Sequence, residues 1–308
     1  MSSEAKPIPL PEPTNPPLPL SSYKVLSFDV YGTLIRYKSH ILKSFSPLLS
    51  RLPQDSPYRN STPLSKHIPD SATTGDIEFL KVFQAEEDSI KLELADSPRR
   101  FDAILQEIWT RVARRLNVET TTEETQSFGG EKNIASWPVF DGTTEALKSL
   151  SKRYKLVALS NIDKYATDIT FAKTGLGEIS WTKVFTAEDF GTTTEDLKHA
   201  DQRKLETLLS FVEGQGIEKT EILHVAQSLG HDHAPAKKMG ISSVFLTGDG
   251  PVWGKEGESR MAVEKQLVGY IWRCADLREF AECAERCERL DGREQEEIRT
   301  GVGRSSKG

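Results

Sequence analysis

The sequence predicts an α/β protein whose parallel sheet is interrupted by a mainly helical insert, and three observations carry that prediction. Val25-Leu26-Ser27-Phe28-Asp29 is apolar and β-prone, ends on a lone carboxylate and runs into a turn at Gly32. From Trp137 to Leu246, short apolar strands alternate with helical segments, the rhythm of a parallel sheet with right-handed crossovers. Residues 37–136, between the two, show helical periodicity where they show any.

Taken in order, residues 1–21 hold seven of the sixteen prolines and read as an extended or disordered arm. The core is expected from residue 22, with a first strand ending at Asp29. Residues 50–75 are rich in Pro, Ser, Thr and Asp and read as loop. Ile77, Phe79, Leu80 and Phe83, followed by Ile90, Leu92 and Leu94, mark a first insert helix. Ile104, Leu105, Ile108, Trp109, Val112 and Leu116 mark a second, over residues 101–116. Asn117–Asn133 is polar and turn-like. The apolar faces of these helices are expected to pack on each other or on the core, and they leave a homodimer open.

The α/β rhythm then resumes. It predicts helix 143–153, strand 156–159, helix 164–174, strand 183–186, helix 202–211 and strand 221–226. A short helix over 234–239, closed by Gly240, and strand 243–246 follow. The core thus spans 22–36 plus 137–290 and the insert 37–136, while the charged residues 291–308 form a flexible tail.

Composition narrows the function. The 308 residues carry a formal charge of −6, which gives no support to nucleic-acid or anionic-membrane binding. No apolar run approaches the ~18 residues of a membrane span. The opening Met-Ser-Ser-Glu-Ala-Lys lacks the apolar stretch of a secretory signal. Cys274, Cys283 and Cys287 are odd in number and late in the chain, which fits reduced thiols in a cytoplasmic protein. Cys283 and Cys287 read as ordinary helix residues rather than a metal pair.

Asp29 is placed at the carboxyl end of a buried parallel strand, where such sheets bind ligands, and Gly32 lets the chain turn sharply just beyond it. This is how an α/β fold presents a nucleophile. Ser160 and Asn161 end a second strand and offer neutral donors without adding negative charge; Ser160 is equally suited to cap the next helix. His224, His231, Asp232 and His233 lie close in sequence, but no fourth zinc ligand accompanies them at a typical spacing. They read as site-edge or structural residues, and Asp232 also suits a cap before Ala234-Pro235.

The segment Asp29-Val30-Tyr31-Gly32-Thr33 resembles motif I of the haloacid dehalogenase-like hydrolase superfamily. Its phosphatases carry a second Asp two residues after the first. Tyr31 at that position is similar to the type II 2-haloacid dehalogenase branch. Leu159-Ser160-Asn161 resembles motif II. The lysine of motif III is expected at Lys198, in Lys198-His199 where Lys-Pro is usual, with Lys183 and Lys204 as rivals. His224-Val225-Ala226-Gln227-Ser228-Leu229-Gly230-His231-Asp232 resembles motif IV, with Gln227 in place of the first acid and Asp232 at the second. The likeness covers most of residues 23–250.

The resemblance implies a Rossmann-like core with an inserted helical cap domain and a small-molecule substrate. It implies a catalytic set of Asp29 as nucleophile, Lys198 as its cation and Asp232 as an aid to water. Tyr31, Ser160, Asn161, Gln227 and Ser228 are the implied substrate-binding residues. The favoured reaction is hydrolytic dehalogenation of a short 2-haloacid through an aspartyl ester, with no cofactor and no metal. Dehalogenases receive the halide on a cap arginine, but Phe79–Glu87 contains Lys81 and no arginine, so Arg36 is the substitute. The alternatives are a Mg²⁺-dependent small-molecule phosphatase, with the Tyr31 carbonyl and Asp232 as metal ligands, and a non-catalytic binding protein of the same fold. Tyr31 and Gln227 both stand where phosphatases use carboxylates, which weakens a site for a hard cation.

Overall fold

Six parallel strands form the sheet in a computed structural model of the chain, which describes residues 10–62, 73–93, 100–191, 200–247 and 261–287. They are β1 (Val25–Asp29), β2 (Lys155–Leu159), β3 (Trp181–Phe185), β4 (Ile222–Ala226), β5 (Ser242–Leu246) and β6 (Trp272–Cys274). Their spatial order is β3-β2-β1-β4-β5-β6. The order reverses beside β1, and at such a switch point a crevice opens outside the carboxyl ends of the strands. β1 is buried along its whole length, so Asp29 is delivered to that crevice by a fixed strand.

The insert holds α1 (Tyr37–Leu49), α2 (Thr74–Glu93), α3 (Phe101–Arg115), α4 (Thr122–Gly129) and α5 (Glu131–Ile134). Phe45 centres its core, with ring centroids of Phe79, Trp109 and Phe128 at 5.1, 4.6 and 4.7 Å. Leu105, Ile108, Trp109 and Val112 are buried on one side of α3, as their spacing predicts. One part departs from expectation: Asn117–Asn133 is not turn-like but contains α4 and α5. Thr121 and Glu124 form a reciprocal capping box at the start of α4, which lets a polar octapeptide hold a helix.

Core helices α6 (Thr143–Leu150), α7 (Lys164–Thr174) and α10 (Leu277–Cys287) pack on the sheet face that carries Leu26, Phe28 and Val225. The opposite face, with Val25 and Ile222, is covered by α8 (Ala200–Glu213) and α9 (Ala234–Met239). The expected helices 164–174 and 234–239 match their observed bounds. β6 has no counterpart among the expected strands, while Cys283 and Cys287, read as ordinary helix residues, are buried on α10. The expected tail and the first nine residues of the arm lie outside the described residues.

Residues 10–22 are tied to the core. Both the backbone N–H and the hydroxyl of Thr14 donate to Gly269 O, at 2.9 and 3.0 Å. Asn15 Nδ2 donates to Gly240 O at 2.9 Å. Leu10 packs on the cluster of Val263, Val268 and Tyr270. A Cβ at Gly269 would overlap Thr14 Oγ1 and come within 3.0 Å of Thr14 N. Gly269→Ala is therefore expected to loosen the strap and cost about 1–3 kcal/mol, read as a lower Tm with faster proteolysis near residues 10–22. An unchanged Tm and cleavage pattern would mean that the strap adds nothing to stability.

Candidate active site

The turn after β1 builds the site. Gly32 adopts φ +100°, a left-handed region that suits glycine. The backbone of Thr33, Leu34 and Ile35 folds back to donate to Val30 O. This brings Thr33 under the strand end, where its hydroxyl donates to Asp29 Oδ2 at 2.7 Å and accepts from Gln227 N at 3.0 Å. Thr33 thus links the carboxylate at the end of β1 to the segment after β4. Asp29 keeps only 7% exposure. Burial, reinforced by the charge of Asp232, pushes its carboxyl up to about 7, against the opposing pull of Lys204 and the Thr33 hydrogen bond.

The cation found beside Asp29 among the described residues is Lys204, one of the two rivals; the expected Lys198 lies outside the described residues. Lys204 projects from the buried stripe of α8 formed with Leu205, Leu208 and Val212. Its Nζ donates to Asp232 Oδ1 at 2.6 Å and lies 4.0 Å from Asp29 Oδ1. Burial alone would lower the lysine, but the charges of Asp232 and Asp29 overcome it and hold Lys204 protonated. Asp232 sits in a π turn, Leu229–His233, just after β4. Burial opposes its ionisation, yet Lys204 and a hydrogen bond from His224 hold its carboxyl below the ordinary aspartate range. His224 Nε2 meets Asp232 Oδ1 at 3.0 Å, and His224 Nδ1 meets Ser27 Oγ at 2.9 Å. Asp232 Oδ2 is buried without a hydrogen-bond partner.

The other candidate residues divide. The Tyr31 hydroxyl bonds Thr170 Oγ1 at 2.8 Å, and its ring packs edge-on to Trp137 and beside Phe101 of the insert. Asn161 Oδ1 is buried and unpartnered at the end of β2. Ser160 Oγ accepts from Ile162 N at 3.2 Å and bonds Thr167 at 3.0 Å, which serves the turn into α7; Asp163 is the cap of that helix. Ser228 caps the π turn, accepting from His231 N at 3.1 Å. Gln227 Nε2 donates to Thr247 O at 3.3 Å.

The remaining suggestions separate. Arg36 turns to Asp141, at 3.1 Å, and to the Phe140 ring. In the stretch that corresponds to the cap arginine, Phe79, Leu80, Phe83 and Glu87 are buried in the insert, while Lys81 pairs with Glu78 on its surface. The histidines have separate partners: His231 bonds Asp201, and His233 bonds Ser243 and Ala226 O. Burial lowers His233 to about 4, so it is neutral at pH 7. Among the described residues no His, Cys, Asp or Glu cluster suits a metal ion, and no helix is long and apolar enough to cross a membrane.

The site is thus a buried carboxylate at the switch point of a parallel sheet, beside a buried lysine and a second aspartate. The family model of haloacid dehalogenase-like hydrolases matches residues 23–240, and the chain belongs to that family. Solved structures with the same fold include L-2-haloacid dehalogenase from Xanthobacter autotrophicus with chloropropionic acid covalently bound. That protein has a TM-score of 0.58 and 15% identity, covering 85% of this chain and 98% of its own. A dehalogenase with an intermediate complex has a TM-score of 0.60 at 14% identity, covering 84% and 96%. HAD-hydrolase YfnB from Bacillus subtilis, bound to magnesium, has 0.50 at 12%, covering 73% and 89%. No curated protein matches the sequence.

Proposed function

We propose that this hydrolase works through an ester on Asp29 and dehalogenates a short 2-haloacid. The observation that carries the reading is Tyr31, bonded to Thr170 and walled by Trp137 and Phe101. It stands where a second carboxylate would protonate a leaving alkoxide. A halide leaves without needing a proton, so the substitution costs a dehalogenase nothing in acid catalysis. Asp29 attacks C2 in line, the carbon–halogen bond breaks, and an ester forms. Lys204 holds the charge of the attacking carboxylate. Water then adds to the Asp29 carbonyl carbon, Asp232 Oδ2 takes its proton, and the alkyl oxygen leaves with that proton as a 2-hydroxyacid. Asn161 and the neighbouring backbone are the proposed seat of the substrate carboxylate.

The donor set fits Mg²⁺ poorly. Gln227 replaces one carboxylate, and Asp232 Oδ1 is already bonded to Lys204 and His224, whereas the ion favours several anionic oxygens. Halide release from (S)- or (R)-2-chloropropionate in EDTA, absent in Asp29→Asn, is the expected result. Phosphate-ester turnover that needs Mg²⁺, with no halide release, would replace this reading with a phosphatase. Failure of both would favour a binding protein of the same fold.

A further inference from the structure

The middle of the sheet carries a polar pair that the proposed chemistry does not explain. Ser27 on β1 and His224 on β4 are direct register partners, and neither is exposed. Two residues earlier, on the same face of the sheet, the pair is Val25 and Ile222, both part of the apolar layer under α8. A hydroxyl and an imidazole in such a layer are costly unless every polar atom is bonded. Here the bonds form one chain. His224 Nε2 lies 3.0 Å from Asp232 Oδ1; a carboxylate only accepts, so this nitrogen carries the proton. In the singly protonated ring Nδ1 then accepts from the Ser27 hydroxyl, at 2.9 Å. Ser243, the other register partner of His224, gives its hydroxyl to His233 instead.

We infer that Ser27 and His224 are positioning residues that anchor Asp232 Oδ1 so that its other oxygen is held ready for the hydrolytic water. A carboxylate held by Lys204 alone can pivot about Cβ–Cγ and present either oxygen. A second donor from β4 blocks that rotation. Lys204 and His224 converge on Oδ1, and Oδ2 is left buried and unpartnered, as an oxygen awaiting a small ligand is left. The pair touches neither Asp29 nor the substrate, so its effect falls on ester hydrolysis rather than ester formation. This assignment rests on the ester mechanism proposed above.

Quenched-flow mass analysis with 2-chloropropionate reads the two halves separately. In His224→Leu, ester formation is expected within a few-fold of wild type. Hydrolysis slows about 10²-fold, so the Asp29 adduct accumulates. Ser27→Ala gives a weaker version, and His224→Gln, which keeps an N–H toward Asp232, partly restores hydrolysis. Equal slowing of both halves in all three variants would overturn the inference. ¹⁵N-histidine NMR of the substrate-free protein tests the geometry directly. An Nε2–H tautomer at His224 is expected, lost in Asp232→Asn; an Nδ1–H tautomer would overturn the inference whatever the substrate. Wild type that shows the expected tautomer but neither adduct nor halide would sink the dehalogenase reading and leave the anchoring of Asp232 standing.

Discussion

Asp29→Asn is expected to abolish turnover and at the same time to stabilise the fold. The loss should be on the order of 10⁴-fold or more, because an amide cannot displace the leaving group. The gain has a separate cause. Burial and the nearby Asp232 charge raise the Asp29 carboxyl from 3.8 to about 7. Between those values the folded state binds more protons than the unfolded chain, so stability falls as pH rises through the window. The full penalty, a few kcal/mol on this reasoning, is present above pH 7 and absent near pH 4. Asparagine keeps an oxygen for the Thr33 hydroxyl and never ionises. The Tm of the variant is therefore expected to exceed that of wild type at pH 8 and to converge with it toward pH 4. Asp232 contributes in the opposite sense, since its stabilising ionisation is lost on acidification. Wild-type activity should rise with pH through about 7 as Asp29 ionises. A variant that melts below wild type at pH 8 would refute the view that the Asp29 carboxylate is held at a cost in stability.

The parts of the molecule that were legible in the sequence are those where local pattern and tertiary role agree. β1 and its glycine turn could be read because the strand is buried on both faces and ends on one charge. The helix 234–239 could be read because Pro235 and Gly240 mark both ends. The insert was harder. Pro47 lies inside α1 and argues locally against a helix, yet Ile41, Phe45 and Leu48 are buried along it. α4 is polar, and its sign was the Thr121–Glu124 capping pattern rather than hydrophobic periodicity. β6 has only three residues, too few for an alternation to register.

Two lysines answer to different kinds of signal. Lys198 is favoured by its place after the third strand, a linear criterion. The signal for Lys204 is helical: Lys204, Leu208 and Val212 recur every four residues along α8, so Lys204 falls on the buried stripe. A lysine there is almost never fully buried unless paired, which by itself predicts a carboxylate beneath it. Thr33 and Ser27 were equally visible as letters, but their partners lie at residues 227 and 224, far along the chain. Only the sheet register brings them together.

Lys204→Met is expected to be the most damaging single change in the molecule. The lysine is fully buried and is shared by two buried carboxylates, at 2.6 and 4.0 Å. Methionine fills much of its volume but leaves Asp232 and Asp29 facing each other with no cation between them. Removing one partner of a buried ionic group costs about 3–5 kcal/mol, read as a fall in urea midpoint. The burden should shift toward protonation of Asp29, so any residual activity should need a higher pH than wild type. Lowering the pH should recover part of the lost stability, because neutralising Asp29 relieves the repulsion. Lys198→Met provides the opposing arm, since the two lysines compete for one role. Loss of activity in Lys198→Met, with Lys204→Met folded and active, would return the role to the lysine that the linear motif favours. Collapse of stability and activity in Lys204→Met alone would tie both to the same buried charge, making this cation a requirement of the fold before it is a catalyst.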